Sequence, residues 1–169
     1  SEEYGIPVIE DAAEAIGATY NGRMAGTWGD LAIISFNANK TLSTGGGGAL
    51  INVNKEMHKR AAYFANQAKG ASQYYKHDDI GYNYAIGSLP AAIGSAQLRS
   101  IEALVQDRKE RFDSYEKLFQ SHKVIQSQRD LEGGNSSRWL SAFQSFEAKI
   151  NYKSLSQLNP NLEIRPVFK

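Results

Sequence analysis

Lys40 stands five residues ahead of four consecutive glycines, Gly45 to Gly48, in the stretch IISFNANKTLSTGGGGALI. Bare N–H groups of a glycine-rich turn close around an anion and an ammonium neutralises it, which is phosphate chemistry. The order argues against a nucleotide P-loop, where the lysine follows the glycines and a Ser or Thr follows at once, and leaves such an enzyme a distant third reading that saturable ATP binding would revive. Two more groups belong with Lys40. Asp11 ends the run GIPVIED, and Ser35 ends LAIIS. A carboxylate, a hydroxyl and an amine on one edge of a sheet fit pyridoxal phosphate. That cofactor needs an amine for its aldehyde, an anion to keep its ring nitrogen protonated, and donors around its phosphate. Each group also has a plainer reading: an Asp at a strand end caps a turn, a lone loop lysine is solvated, and glycines supply tight turns or close approach.

The elements that must position these groups follow from the pattern. Ile6 to Ile9 predicts a buried strand delivering a carboxylate, LAIISF a second buried strand and GALINV a third. Ligands of open α/β sheets sit beyond the carboxyl ends of the strands, so parallel neighbours would bring Asp11, Ser35 and Lys40 to one edge. AAEAIGATY reads as a short helix or turn, and NGRMAGTWGD as loop by its glycines and Asn-Gly pair. Residues 55–69 have helical spacing, with Met57, Ala61 and Phe64 on one face. GASQYYKHDDIGYNYAIGS is a long irregular connection of the kind that carries function. One continuous helix is expected from Leu89 to Ser121, about 45 Å long at 1.5 Å per residue and able to link two lobes. SRWLSAFQSFEA, NYKSLSQL and LEIRPV then read strand, helix, strand, after a break at LEGGN.

Composition narrows the function classes. The chain has 169 residues, enough for a sizeable core, and 41% of them are hydrophobic. Its 19 basic and 18 acidic side chains leave a charge of +1, with no broad basic face for nucleic acid. There is no cysteine, so disulfides and thiolate sites are excluded. His58, His77 and His122 lack ligand spacing, and no metal site is expected. No apolar run reaches membrane-spanning length, and no secretory leader is read. Both ends read as cut, the first inside a helix running into a strand and the last directly after a strand.

Several motifs in order, VIEDAAEAIGATYNGRMAGTWGD, SFNANKTLSTGGGGAL, IGYNY followed by LPAAIGSAQL, RWLS and EIRPVFK, closely resemble the DegT/DnrJ/EryC1/StrS family of pyridoxal-phosphate sugar aminotransferases. SFNANK, the glycine run and RWLS look most like members that aminate a 4-keto-6-deoxy nucleotide sugar, as toward UDP-N-acetylbacillosamine. The resemblance implies a partial fold-type I α/β fold, like that of aspartate aminotransferase. Residues 1–118 would be the later part of the large cofactor domain, including the interdomain helix, and residues 119–169 the beginning of the small domain. It implies that Lys40 is the Schiff-base lysine and proton shuttle, that Asp11 pairs with the pyridinium nitrogen, that Glu14 lies near the ring or its phenolic oxygen, and that Ser35 donates to the phosphate. Asn83 would reach the phosphate of a cofactor held mainly by a neighbouring subunit, making a homodimer with a shared site. Arg165 and Lys169 lie toward the substrate, and His77 either orients substrate or caps its loop.

A cytoplasmic enzyme with glutamate as donor is implied, its partners being small molecules and a second copy of itself. Lys40 sets the chain apart from the family's dehydratase branch, where histidine replaces the lysine. Ala85 departs from the pattern, standing where relatives often carry an arginine after GYNY. Relatives are roughly twice as long, so the chain is expected to be a fragment, inactive alone. The competing reading is a non-catalytic homologue or remnant that keeps the pocket for cofactor or carbohydrate binding.

Overall fold

A computed structural model describes residues 3–51, 53–70, 74–121 and 123–146, with Lys153 and Gln157. The expected helix NYKSLSQL, apart from those two positions, and the strand LEIRPV lie outside the described residues.

The first strand, β1 (Ile9–Asp11), and the fourth, β4 (Leu31–Ser35), are parallel neighbours, with Asp11 opposite Ile33. Beside β4 runs β5 (Gly48–Ile51), antiparallel, completing a sheet of order β1-β4-β5. In β4, Ala32 and Ile34 are buried and alternate with half-buried neighbours, so the second strand is covered as its sequence implies. The first is not. Ile6, Val8 and Ile9 are exposed, because among the described residues β1 has a neighbour on one side only.

A parallel pair needs a long connection, commonly a helix. Here residues 12–30 supply it without one. Successive turns over residues 12–18 (Ala15 N–H to Ala12 O, Ala18 N–H to Ala15 O) lead into the hairpin of β2 (Thr19–Tyr20) and β3 (Arg23–Met24). The Asn-Gly pair, read above as loop, is its two-residue turn, with φ of 47° at Asn21 and 76° at Gly22. Both values suit the turn whose twist matches paired strands. Glu10 locks the connection. Its carboxylate accepts N–H bonds from Gly26 (2.5 Å), Trp28 (2.9 Å) and Gly29 (3.3 Å). Desolvation pulls toward the neutral form, but these donors and the Arg23 charge outweigh it and hold the carboxyl below its ordinary range.

Helix α1 (Lys55–Ala65) is capped by Asn54, whose Oδ1 accepts from the amides of Glu56 and Met57. It ends before residue 69, where Gln67 and Ala68 take φ of 65° and 50° and the chain turns into a clasp with residues 76–85. The single long helix is corrected to two, α2 (Ser88–Leu98) and α3 (Ile101–Phe119). The break falls at Ser100, at φ −115° and ψ 19°, whose N–H turns back to Gln97 O. Ser favours helix starts over interiors, and Glu102 follows it in the first turn of α3.

Helix α2 positions the Lys40 loop. Gln97 Nε2 donates to Ser43 O (2.6 Å) and its Oε1 accepts the Ser43 N–H (3.1 Å). One turn earlier Gly94 lets the helix approach, since a Cβ there would lie 2.8 Å from Thr44 Cγ2. The glycine run returns the chain to pair with β4, with Phe36 N–H bonded to Gly47 O at 2.9 Å. Its members are not equivalent: a Cβ on Gly48 would overlap the Ile34 carbonyl, whereas one on Gly46 meets open space.

Beyond α3 lie β6 (Ile125–Ser127) and β8 (Phe143–Ser145), an antiparallel pair. Phe143 stacks on buried Phe112 of α3 (5.6 Å between centroids) and meets Tyr115 and Phe119 edge-on. The strand expected across SRWLSAFQSFEA is confined to residues 143–145, because residues 136–139 instead make tight local bonds. LEGGN, read as a break, contains β7 (Gly134–Asn135), which adds to the hairpin opposite Tyr20 and Thr19. Among the described residues no helix is long and apolar enough to cross a membrane.

Three outcomes follow. Gln97→Ala strands both Ser43 backbone groups and is expected to cost about 1–3 kcal/mol, with faster amide exchange over residues 41–45. Gly48→Ala lowers the thermal midpoint by several degrees while Gly46→Ala leaves it nearly unchanged. Because the folded Glu10 is more acidic than the unfolded one, its stabilisation is present above the unfolded pKa, about 4.3, and is lost as pH falls through the lower folded value. The midpoint gap between wild type and Glu10→Gln is therefore widest near neutrality and closes in acid.

Candidate active site

The parallel register brings Asp11 and Ser35 to the carboxyl ends of adjacent strands, with Ser35 two residues beyond the partner of Asp11. Both are engaged locally. Asp11 Oδ1 accepts the Ala13 N–H (3.1 Å) and Ser35 Oγ accepts the Asn37 N–H (3.3 Å), which aims the turns that follow each strand.

Lys40 follows β4 on a turn closed by its own N–H to Asn37 O (3.0 Å). Its side chain is 11% exposed, unusual for lysine, and its ammonium has two partners. Glu14 Oε1 lies 2.9 Å away, on a side chain that is itself 57% exposed. The indole of Trp139 covers the ammonium, with Nζ 4.0 Å from the ring centroid. The fit of the site to a phosphorylated aldehyde is tested by what flanks Lys40. Asn39 Oδ1 and Thr41 Oγ1 are shut off from solvent and have no hydrogen-bond partner among the described residues. Buried polar atoms are ordinarily satisfied, so unsatisfied oxygens on the residues before and after Lys40 suit a polar ligand. The residues present fit the cofactor.

Other predicted site residues lie apart from this centre. Asn83 and Ala85 line a cleft of about 520 Å³ with Thr44, Gly46, Gly47 and Gly48, behind the turn that follows Lys40. Exposed Tyr82 and Tyr84 stack beside it (5.1 Å, 12° between planes). His77 belongs to the clasp, its Nδ1 2.7 Å from Gln67 O. Arg165 and Lys169 lie outside the described residues.

Two contributors to the site carried no role in the sequence reading. Gln97 left one trace, its spacing of three from Gly94, which puts both on the same helix face. Trp139 sat within a recognised motif but had no chemistry attached to it. Its route to Lys40 depends on β7 pairing with the hairpin, a contact between residues more than a hundred positions apart.

The model of the DegT/DnrJ/EryC1/StrS aminotransferase family matches residues 1–164. EpsN of Bacillus subtilis (strain 168), provisionally named a pyridoxal phosphate-dependent aminotransferase, is 34% identical over 99% of this chain and 44% of its own length. GDP-perosamine synthase of Escherichia coli O157:H7 is 35% identical over 95% of this chain and 44% of its own. Among solved structures, the aminotransferase TlmJ of Streptoalloteichus hindustanus superposes with a TM-score of 0.79 at 28% identity, over 92% of this chain and 42% of that one. The chain thus spans less than half the length of these relatives. With a mixed α/β fold shared with such aminotransferases and a family match over nearly its whole length, the chain belongs to the DegT/DnrJ/EryC1/StrS aminotransferase family.

Proposed function

We propose that the protein carrying this chain uses pyridoxal 5′-phosphate to transfer an amino group from glutamate to a nucleotide-linked 4-keto-6-deoxy sugar in the cytoplasm. The observation that carries this reading is Lys40, a covered amine at the carboxyl edge of a parallel pair whose neighbouring strand ends in Asp11. The family membership and the nucleotide sugar in the name of one relative support the same chemistry. Residues 1–118 are assigned to the later part of a large domain and residues 119–169 to the start of a smaller one.

When bound, the cofactor supplies an electron-poor ring that stabilises negative charge on the carbon being aminated. The chain supplies the rest. Lys40 Nζ holds the cofactor and moves a proton to and from the sugar carbon. Asp11, as an anion, keeps the ring nitrogen protonated, and Ser35 donates to the phosphate. Glu14 holds Lys40 near the ring oxygen. Asn83 serves the site of a second copy, a role favoured by its exposed, tyrosine-rich loop. His77, Arg165 and Lys169 are assigned to the substrate side.

Borohydride reduction of the full-length protein after incubation with pyridoxal phosphate is expected to leave a covalent adduct on the peptide containing Lys40. Lys40→Ala abolishes the adduct and reduces amino transfer to background. Transfer retained by that variant overturns the reading. An adduct without transfer to any keto sugar points instead to a non-catalytic, cofactor-binding homologue.

A further inference from the structure

We propose that Trp139 is a positioning residue for Lys40, confining its amine to the β1–β4 edge; this rests on the reading of Lys40 as the reacting amine. A lysine has four rotatable side-chain bonds and, left free, samples many positions of its nitrogen. Here the nitrogen is held between two walls, the Glu14 carboxylate at 2.9 Å and the Trp139 ring at 4.0 Å. Glu14 is largely exposed and competes with water, whereas the half-buried indole offers a fixed face with water excluded. A cation within about 6 Å of an aromatic centroid is drawn to that face, more strongly when desolvated.

The backbone that presents the indole is built for the purpose. Arg138, immediately before it, has φ 51°, a left-handed conformation that a long side chain rarely adopts. Such strain persists only where surrounding contacts over-determine it, and it clusters at functional sites. The contacts here are many. Arg138 pairs with Asp130 (3.1 Å), donates to Gln128 O (2.8 Å) and lies 3.9 Å over the Phe112 ring. Its own N–H is taken by Ser136 Oγ (3.1 Å), next to the fully buried Ser137. Arg108 of α3 reaches the Trp139 carbonyl (3.4 Å). Five anchors from α3 and the flanking loops thus fix one turn, whose outcome is an indole over a particular amine.

The test is cofactor-free acetylation of the full-length protein with N-hydroxysulfosuccinimidyl acetate, read by peptide mass spectrometry. The rate at Lys40 is taken relative to that at Lys59, an exposed lysine on α1 with no part in the site. Removing the ring with Trp139→Leu is expected to raise relative labelling of Lys40 about tenfold, while Trp139→Phe, which keeps an aromatic face, stays within about twofold of wild type. Should the leucine variant not fold, Trp139→Met, an unbranched chain that adapts to an irregular gap, also removes the ring and carries the same expectation. Wild-type labelling in the leucine or methionine variant overturns the proposal, as does a phenylalanine variant that labels as fast as they do. The outcome is separable from the proposed reaction: a wild-type Lys40 shielded by Trp139 that never takes up pyridoxal phosphate defeats the functional reading alone.

Discussion

The parallel pairing of β1 with β4 is the constraint on which the rest of the site depends. Parallel neighbours end on the same edge, so Asp11, which closes one strand, and Ser35, which closes the other, lie at the same end of the sheet, with Lys40 following Ser35 in the chain. An antiparallel pair would have placed them at opposite ends. The pairing is made possible by a connection without a helix, and Glu10 keeps that connection in place. One carboxylate gathers three backbone donors from residues 26–29.

The elements behind the edge act as clamps, not as ligands. Helix α2 fixes the Lys40 loop through both backbone groups of Ser43, using one side chain as donor and acceptor. Helix α3 packs against the turn segment through Val105, where a Cβ on Gly17 would come within 2.5 Å, and carries Phe112 into the aromatic cluster around Phe143. The same helix sends Lys109 to Asn135 Oδ1 (2.7 Å), on β7. The later part of the chain is thereby tied to the sheet at the hairpin, and Trp139 follows from that tie.

Considerable apolar surface stays open on these clamps. Ile6 and Ile9 of the β1 region and Leu89, Ile93 and Leu98 of α2 are exposed, as are Tyr74, Tyr75, Tyr82 and Tyr84 in the connection before α2. Apolar surface left open in this way is available to be covered by further protein.

By itself the sequence determined the family and most of the elements on which its motif residues ride. Short apolar runs ending in Asp11 and Ser35 read as strands because burial period and length are local properties, and the motif order around Lys40 carried the family. What local pattern could not decide was pairing over long distances. The Asn-Gly hairpin pairs residues close in sequence, but Gly134 and Asn135 became a third strand upon it only because they found backbone partners more than a hundred positions away. The expected long helix divided at Ser100, with neither Gly nor Pro to announce it. Glu10 and Gln97 acquired their roles from loops brought close by the fold. The indole over Lys40 was likewise decided by tertiary structure, since its position depends on a strained turn that only the packed surroundings of Arg138 can hold.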